Sequence, residues 1–109
     1  ALGNCNVAVG TEALSCVTCG CNNTTIGTCA GRGLSIGNNN IFIGMSGQKA
    51  YNFTSCNIAL GCQALNWGAC ACHNIALGTR ALYCGCAGNN NIALGQTALA
   101  IAVDPELTN

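Results

Sequence analysis

The stretch Asn57-Ile58-Ala59-Leu60-Gly61 returns as Asn74-Ile75-Ala76-Leu77-Gly78 and again as Asn91-Ile92-Ala93-Leu94-Gly95, at a step of 17 residues. The same step taken backwards meets Asn40-Ile41-Phe42-Ile43-Gly44, Asn23-Thr24-Thr25-Ile26-Gly27 and Asn6-Val7-Ala8-Val9-Gly10. Six units align without insertion or deletion, and self-similarity at a fixed period marks a stacked architecture. The unit has an invariant Asn (Asn6, Asn23, Asn40, Asn57, Asn74, Asn91) and an invariant Gly (Gly10, Gly27, Gly44, Gly61, Gly78, Gly95). Three residues past the Gly stands a small residue, Ala13, Ala30, Gly47, Ala64, Ala81 or Ala98, followed in four units by Leu14, Leu65, Leu82 or Leu99. Seven residues before the Gly stands a second corner residue: Gly3, Gly20, Gly37, Thr54, Ala71 or Gly88.

Paired corners and β-branched neighbours oppose a helical repeat. Apolar residues alternate over short runs such as Ile41 and Ile43, or Ile58 and Leu60, which is strand periodicity. Short strands joined at Gly and Asn corners predict an all-β fold, a parallel β-solenoid of about six 17-residue coils. At about 4.8 Å per coil the rod is about 30 Å long. The repeated Asn has a reason to be there: it tolerates left-handed backbone, and stacked amides hydrogen-bond up the column. Residues 1–103 form the repeat domain, and 104–109, where Asp104 and Pro105 end the pattern, a cap or a junction to another subunit.

Composition sets the surroundings. Charged residues make up 6% of the 109, against about 25% in ordinary soluble domains, so much of the outside is expected to be covered by other chains. With Arg32, Lys49 and Arg80 the only strong bases, a nucleic-acid partner is excluded. Ala98 to Val103 is far too short an apolar run for a membrane-spanning helix. In each strand the middle residue (Ala8, Thr25, Phe42, Ala59, Ala76, Ala93) is expected to face outward, giving a mostly Ala flank suited to packing against another copy.

Eleven Cys in 109 residues suggest a disulfide scaffold and an extracellular, cell-surface or virion-surface setting. Three pairs lie 16 residues apart, Cys5 with Cys21, Cys56 with Cys72, and Cys70 with Cys86, which places partners on neighbouring coils near corners. The remaining Cys16, Cys19, Cys29, Cys62 and Cys84 are left to inter-chain bridges or to burial as free thiols.

The motif Asn-x-Ala-Leu/Ile-Gly-x-x-Ala-Leu, clearest at 57–65, 74–82 and 91–99, resembles the head repeats of trimeric autotransporter adhesins and similar repeats of viral tail fibres. The resemblance implies trimers of parallel β-rolls that bind host surfaces. Two features depart from it: the period is 17 rather than about 14, and those heads are poor in Cys.

Catalysis is not expected. His73 is the single His, and Glu12, Asp104 and Glu106 are too scattered to serve it. Zinc-type ligands occur at Cys16-x-x-Cys19-x-Cys21 and Cys70-Ala-Cys72-His73, but neither has a standard paired spacing, and no metal or other cofactor is assigned. An ice-binding Thr array at Thr11, Thr28 and Thr79 is interrupted by Met45, Cys62 and Gln96. Glycosylation sequons begin at Asn22, Asn23 and Asn52, with Asn52 the freest. The function expected is structural: self-assembly into a fibre, shell or spike, with a host-surface-binding head and an ice-binding rod as alternatives.

Overall fold

A computed structural model describes residues 4–34, 36–46, 55–65, 72–85, 89–99 and 101–102, with side chains left undescribed at 84, 85, 101 and 102. The strands are β1 (Val7–Val9), β2 (Thr24–Ile26), β3 (Ile41–Ile43), β4 (Ile58–Leu60), β5 (Ile75–Leu77), β6 (Cys84–Gly85), β7 (Ile92–Leu94) and β8 (Ile101–Ala102). β1, β2, β3, β4, β5 and β7 form one parallel sheet in that order, and every pairing joins residues 17 apart, from Val7 with Thr24 to Leu77 with Leu94. A second sheet pairs β6 with β8 in parallel, again 17 residues apart. The fold is an all-β parallel β-solenoid with no helix among the described residues. The turn count differs from the six coils expected, the described residues amounting to about four turns. The segment 104–109 lies outside them.

An asparagine ladder runs through the stack. The backbone N–H of Asn23 donates to Asn6 Oδ1 at 2.9 Å, and those of Asn40, Asn57, Asn74 and Asn91 donate to the preceding Asn at 2.8–3.0 Å. The side-chain amides of Asn23, Asn40 and Asn57 donate to the same oxygens at 3.0–3.2 Å. Two amides also reach across their coils: Asn6 Nδ2 donates to Gly20 O at 2.7 Å and Asn23 Nδ2 to Gly37 O at 2.8 Å. From Asn23 onward the ladder is fully buried, so these bonds stand in for much of the water those amides have lost, with Asn74 Nδ2 left without a partner among the described residues.

The left-handed corner is not at the repeat Asn but one residue earlier, at Cys5, Asn22, Asn39, Cys56, His73 and Asn90, with φ between 58° and 65°. Such a conformation costs a non-glycine residue about 1 kcal/mol or more. It is held in place because Asn22, Asn39, Cys56, His73 and Asn90 each donate a backbone hydrogen bond to the previous rung, at 2.9–3.2 Å. At the other corner only glycine fits: Gly61 has φ 122°, and a Cβ there would lie 2.8 Å from Gly78 O.

The burial of the strands reverses the expectation drawn from alternation. Thr25, Phe42, Ala59, Ala76 and Ala93 point inward and are buried, while the flanking Val, Ile and Leu point out. The reason is room. The interior already holds Leu14, Leu34, Leu65 and Leu82 from the rest of the coil, which leaves space for Ala on the strand but not for a second column of Ile and Leu. The core is completed by Leu14, Ala30, Leu34, Ala64, Leu65, Ala81 and Leu82. Phe42 is accommodated because Gly31 stands where other coils carry Leu14, Leu65 and Leu82; a Cβ on Gly31 would come within 3.0 Å of the Phe42 ring. In the same coil Ser46 takes the slot of Ala30 and Ala64 one residue early. It accepts from Gly31 N–H at 2.8 Å, as Ala30 accepts from Leu14, and its Oγ donates to Ala59 O at 3.1 Å.

The disulfide staple is also corrected. None of Cys5, Cys21, Cys56 and Cys72 is in a disulfide. Stacking brings together residues 17 apart, so Cys5 lies over Asn22, and Cys56 lies between Asn39 and His73. A 16-residue pair sits in adjacent columns rather than one over the other. Cys70 and Cys86 lie outside the described residues.

Two substitutions test the ladder and the corner. Asn57→Ala strips Asn74 N–H of its acceptor and is expected to cost about 2–3 kcal/mol in urea unfolding. Gly61→Ala, strained in both φ and contact, is expected to cost about 1–3 kcal/mol by the same measurement.

Candidate interaction surface

Because a strand alternates, three-residue strands with one inward position leave two outward positions per rung. Stacking turns these into two columns: Val7, Thr24, Ile41, Ile58, Ile75 and Ile92, and beside it Val9, Ile26, Ile43, Leu60, Leu77 and Leu94. Eleven of the twelve are aliphatic and none is charged. Exposure runs from 62% at Leu94 and 55% at Val9, at the ends of the stack, to 38% at Ile41 in the middle; Ile58, Leu60, Ile75 and Leu77 are half-buried by neighbouring rungs.

An aliphatic side chain moves about 60–120 Å² out of water when fully buried, so the half-covered columns together present on the order of 500 Å². That lies toward the upper end of the largest apolar patch on ordinary monomers, about 300–600 Å². Two such faces packed together remove about 1,000 Å² in total, where specific protein interfaces begin. Along the stack the face carries ridges that repeat at the rung spacing. A second copy carries ridges at the same spacing, so the surface is complementary to itself.

Two further columns border this face. Before it stand the left-handed residues Cys5, Asn22, Asn39, Cys56, His73 and Asn90; after the glycine corner stand Thr11, Thr28, Met45, Cys62, Thr79 and Gln96. Each member is exposed. Beyond the second border the charges pair locally: Arg32 Nη1 lies 3.3 Å from Glu12 Oε2, Arg80 Nε donates to Gln63 Oε1 at 3.1 Å, and the Arg80 guanidinium lies 5.6 Å from the centre of the Tyr83 ring.

The residues singled out in the sequence fall as follows. The repeated Asn and Gly are the inner ladder and the corner, which position the face and take no part in it. Cys16, Cys19 and Cys62 are exposed free thiols, and Cys29, half-buried, donates to Glu12 Oε2 at 3.7 Å. Cys84 lies in β6, where the backbone alone is described. Asn22 is exposed, whereas Asn23 is buried in the ladder and closed to a glycan; Asn52 lies outside the described residues. Among the described residues no group of three His, Cys, Asp or Glu in one copy is placed to hold a metal ion, Cys16-x-x-Cys19-x-Cys21 included. Thr11, Thr28 and Thr79 share their exposed column with Met45, Cys62 and Gln96, so the Thr array is broken on the surface as in the sequence.

The aliphatic face itself was missed from the sequence, since alternation alone does not say which set points inward. The signal was present in side-chain volume: a middle column that is mostly Ala fits a narrow interior better than Ile and Leu do. No family model, no curated protein and no solved structure matches this chain.

Opposite substitutions at neighbouring positions test the assignment of inside and outside. Ala59→Leu overfills a fully buried site and is expected to lower stability by about 1–3 kcal/mol. Ile43→Thr, on the outward column, is expected to change the stability of the dissociated chain by less than about 1 kcal/mol, both read by thermal unfolding in dilute solution.

Proposed function

We propose that this protein is a structural, self-assembling β-solenoid whose copies pack side by side through the aliphatic face to build a fibre, a shell or a spike. One observation carries the reading: two uninterrupted columns of outward Val, Ile and Leu, with a single Thr, on a rod whose own interior is already filled. A chain with 6% charged residues has little else to keep that face in water, and covering it removes the liability. The resemblance to trimeric adhesin heads and tail-fibre repeats supports the same packing, since a bundle of parallel rolls needs one apolar flank per roll. Attachment to a host surface is a further expectation of that resemblance. A setting outside the cell rests on a disulfide scaffold; no disulfide occurs among the described cysteines, and the proposed assembly does not depend on that setting.

Sedimentation velocity of the full chain, fully reduced and with a chelator present, tests the reading. The expected result is a species of two or more chains at about 100 µM that dissociates on dilution. The double variant Ile43→Glu with Leu60→Glu is expected to sediment as one chain while keeping its β-sheet circular dichroism. A wild-type chain that remains single and soluble at that concentration overturns the proposal. Closed particles of fixed mass indicate a spike module, and open-ended growth a fibre.

A further inference from the structure

Among the described rungs only that of β4 carries a thiol on both borders of the aliphatic face: its outward residues run Cys56, Ile58, Leu60, Cys62. Both thiols are free and exposed. His73, also exposed, follows Cys56 in the same left-handed column one rung later, about 4.8 Å along the stack. Its backbone N–H donates to Ser55 O at 3.2 Å, which fixes the two corners relative to each other. Within one copy the face separates Cys56 from Cys62, so a single chain cannot bring these three ligands together, in keeping with the finding that none of the described residues forms such a group alone.

Lateral packing changes that. If copies are related by a rotation axis parallel to the stack, the first border of one copy meets the second border of its neighbour at the same height. Cys56 and His73 then face the partner subunit's Cys62. An antiparallel arrangement sets like border against like, which gathers Cys56 and His73 of both copies but leaves Cys62 out, so loss of binding in Cys62→Ser distinguishes the two directions. Packed sheets lie about 10 Å apart, beyond the roughly 6.8 Å between Cα atoms that a disulfide spans. A metal ion between two thiolates, at about 2.3 Å from each sulfur, adds about 2 Å to that reach and fits the gap better.

We propose that parallel, laterally packed copies share a zinc-class site made of Cys56 Sγ, the His73 imidazole and the partner subunit's Cys62 Sγ, with water as the fourth ligand. Each site releases two thiol protons to solvent as the thiolates bind, with no change of oxidation state. This rests on the lateral packing proposed above and adds its direction: the copies run parallel.

The test is titration of Co²⁺ into the reduced full chain, followed by the thiolate-to-cobalt charge-transfer absorption, with sedimentation in parallel. Wild type is expected to reach one Co²⁺ per chain. Cys56→Ser and Cys62→Ser are each expected to lose the band, and His73→Asn to weaken binding at least about tenfold. Mixing the two Ser variants is expected to restore about a quarter of the wild-type signal, because half-sites on different chains complement each other only across an interface. A silent mixture, a band that persists in either Ser variant, or a band from chains that sediment singly overturns the shared site. If wild type associates in chelator yet never develops the band, the metal site falls and lateral packing stands. If it does not associate at all, the packing falls and the site with it.

Discussion

The bond on which this molecule depends is the one a ladder asparagine oxygen accepts from the next rung. Asn6, Asn23, Asn40, Asn57 and Asn74 accept a backbone N–H from the Asn 17 residues on, and two of the side chains are seen to bridge to a carbonyl across the coil. Buried amides are costly unless satisfied, so the ladder fixes the distance between the two sides of the coil as well as the step between rungs. A slip of one residue in any rung would break the bonds above and below it. The narrow interior follows, and from it the column of Ala, with Phe42 admitted only where Gly31 vacates a Leu position. The strand aliphatics find no room inside, where Leu14, Leu34, Leu65 and Leu82 already fill the space beside the Ala column. They form instead a flank that has no counterpart within the chain.

Much of this was legible in the sequence because the period is strict. The six Asn and six Gly gave the step, the corners and the parallel pairing, and the stacking of amides follows from placing one polar side chain over its like. Three things were not legible. Which of two alternating sets faces inward depends on the width of the coil, which no local pattern states, and the choice of Ile58 and Leu60 over Ala59 as the inner pair was wrong. The left-handed corner was given to Asn57, the residue that tolerates it, whereas it falls on Cys56, held there by Asn38 O. The early arrival of Ser46 in the slot of Ala30 is invisible to an alignment without gaps.

The cysteines teach the same lesson. A spacing of 16 looks close to the repeat, yet a solenoid in register stacks residues at 17, and the difference of one residue moves a side chain to another column. Cys5 and Cys56, which a 16-residue spacing would pair within the chain, stand free on the border of the aliphatic face. Their meaning shifts from holding the rod together, which the ladder already does, to what happens at its edges when a second rod arrives. The fold needs no staple, and the proposed function turns on the face between those borders.

Hydrogen exchange on the native chain addresses the ladder most directly. The backbone amides of Asn23, Asn40, Asn57, Asn74 and Asn91 are expected to exchange only through global unfolding, together with the side-chain amides of Asn23 and Asn40. Those of exposed Asn22 and Asn89 side chains are expected to exchange at rates near those of free amides. Equal and rapid exchange across both sets would contradict the account.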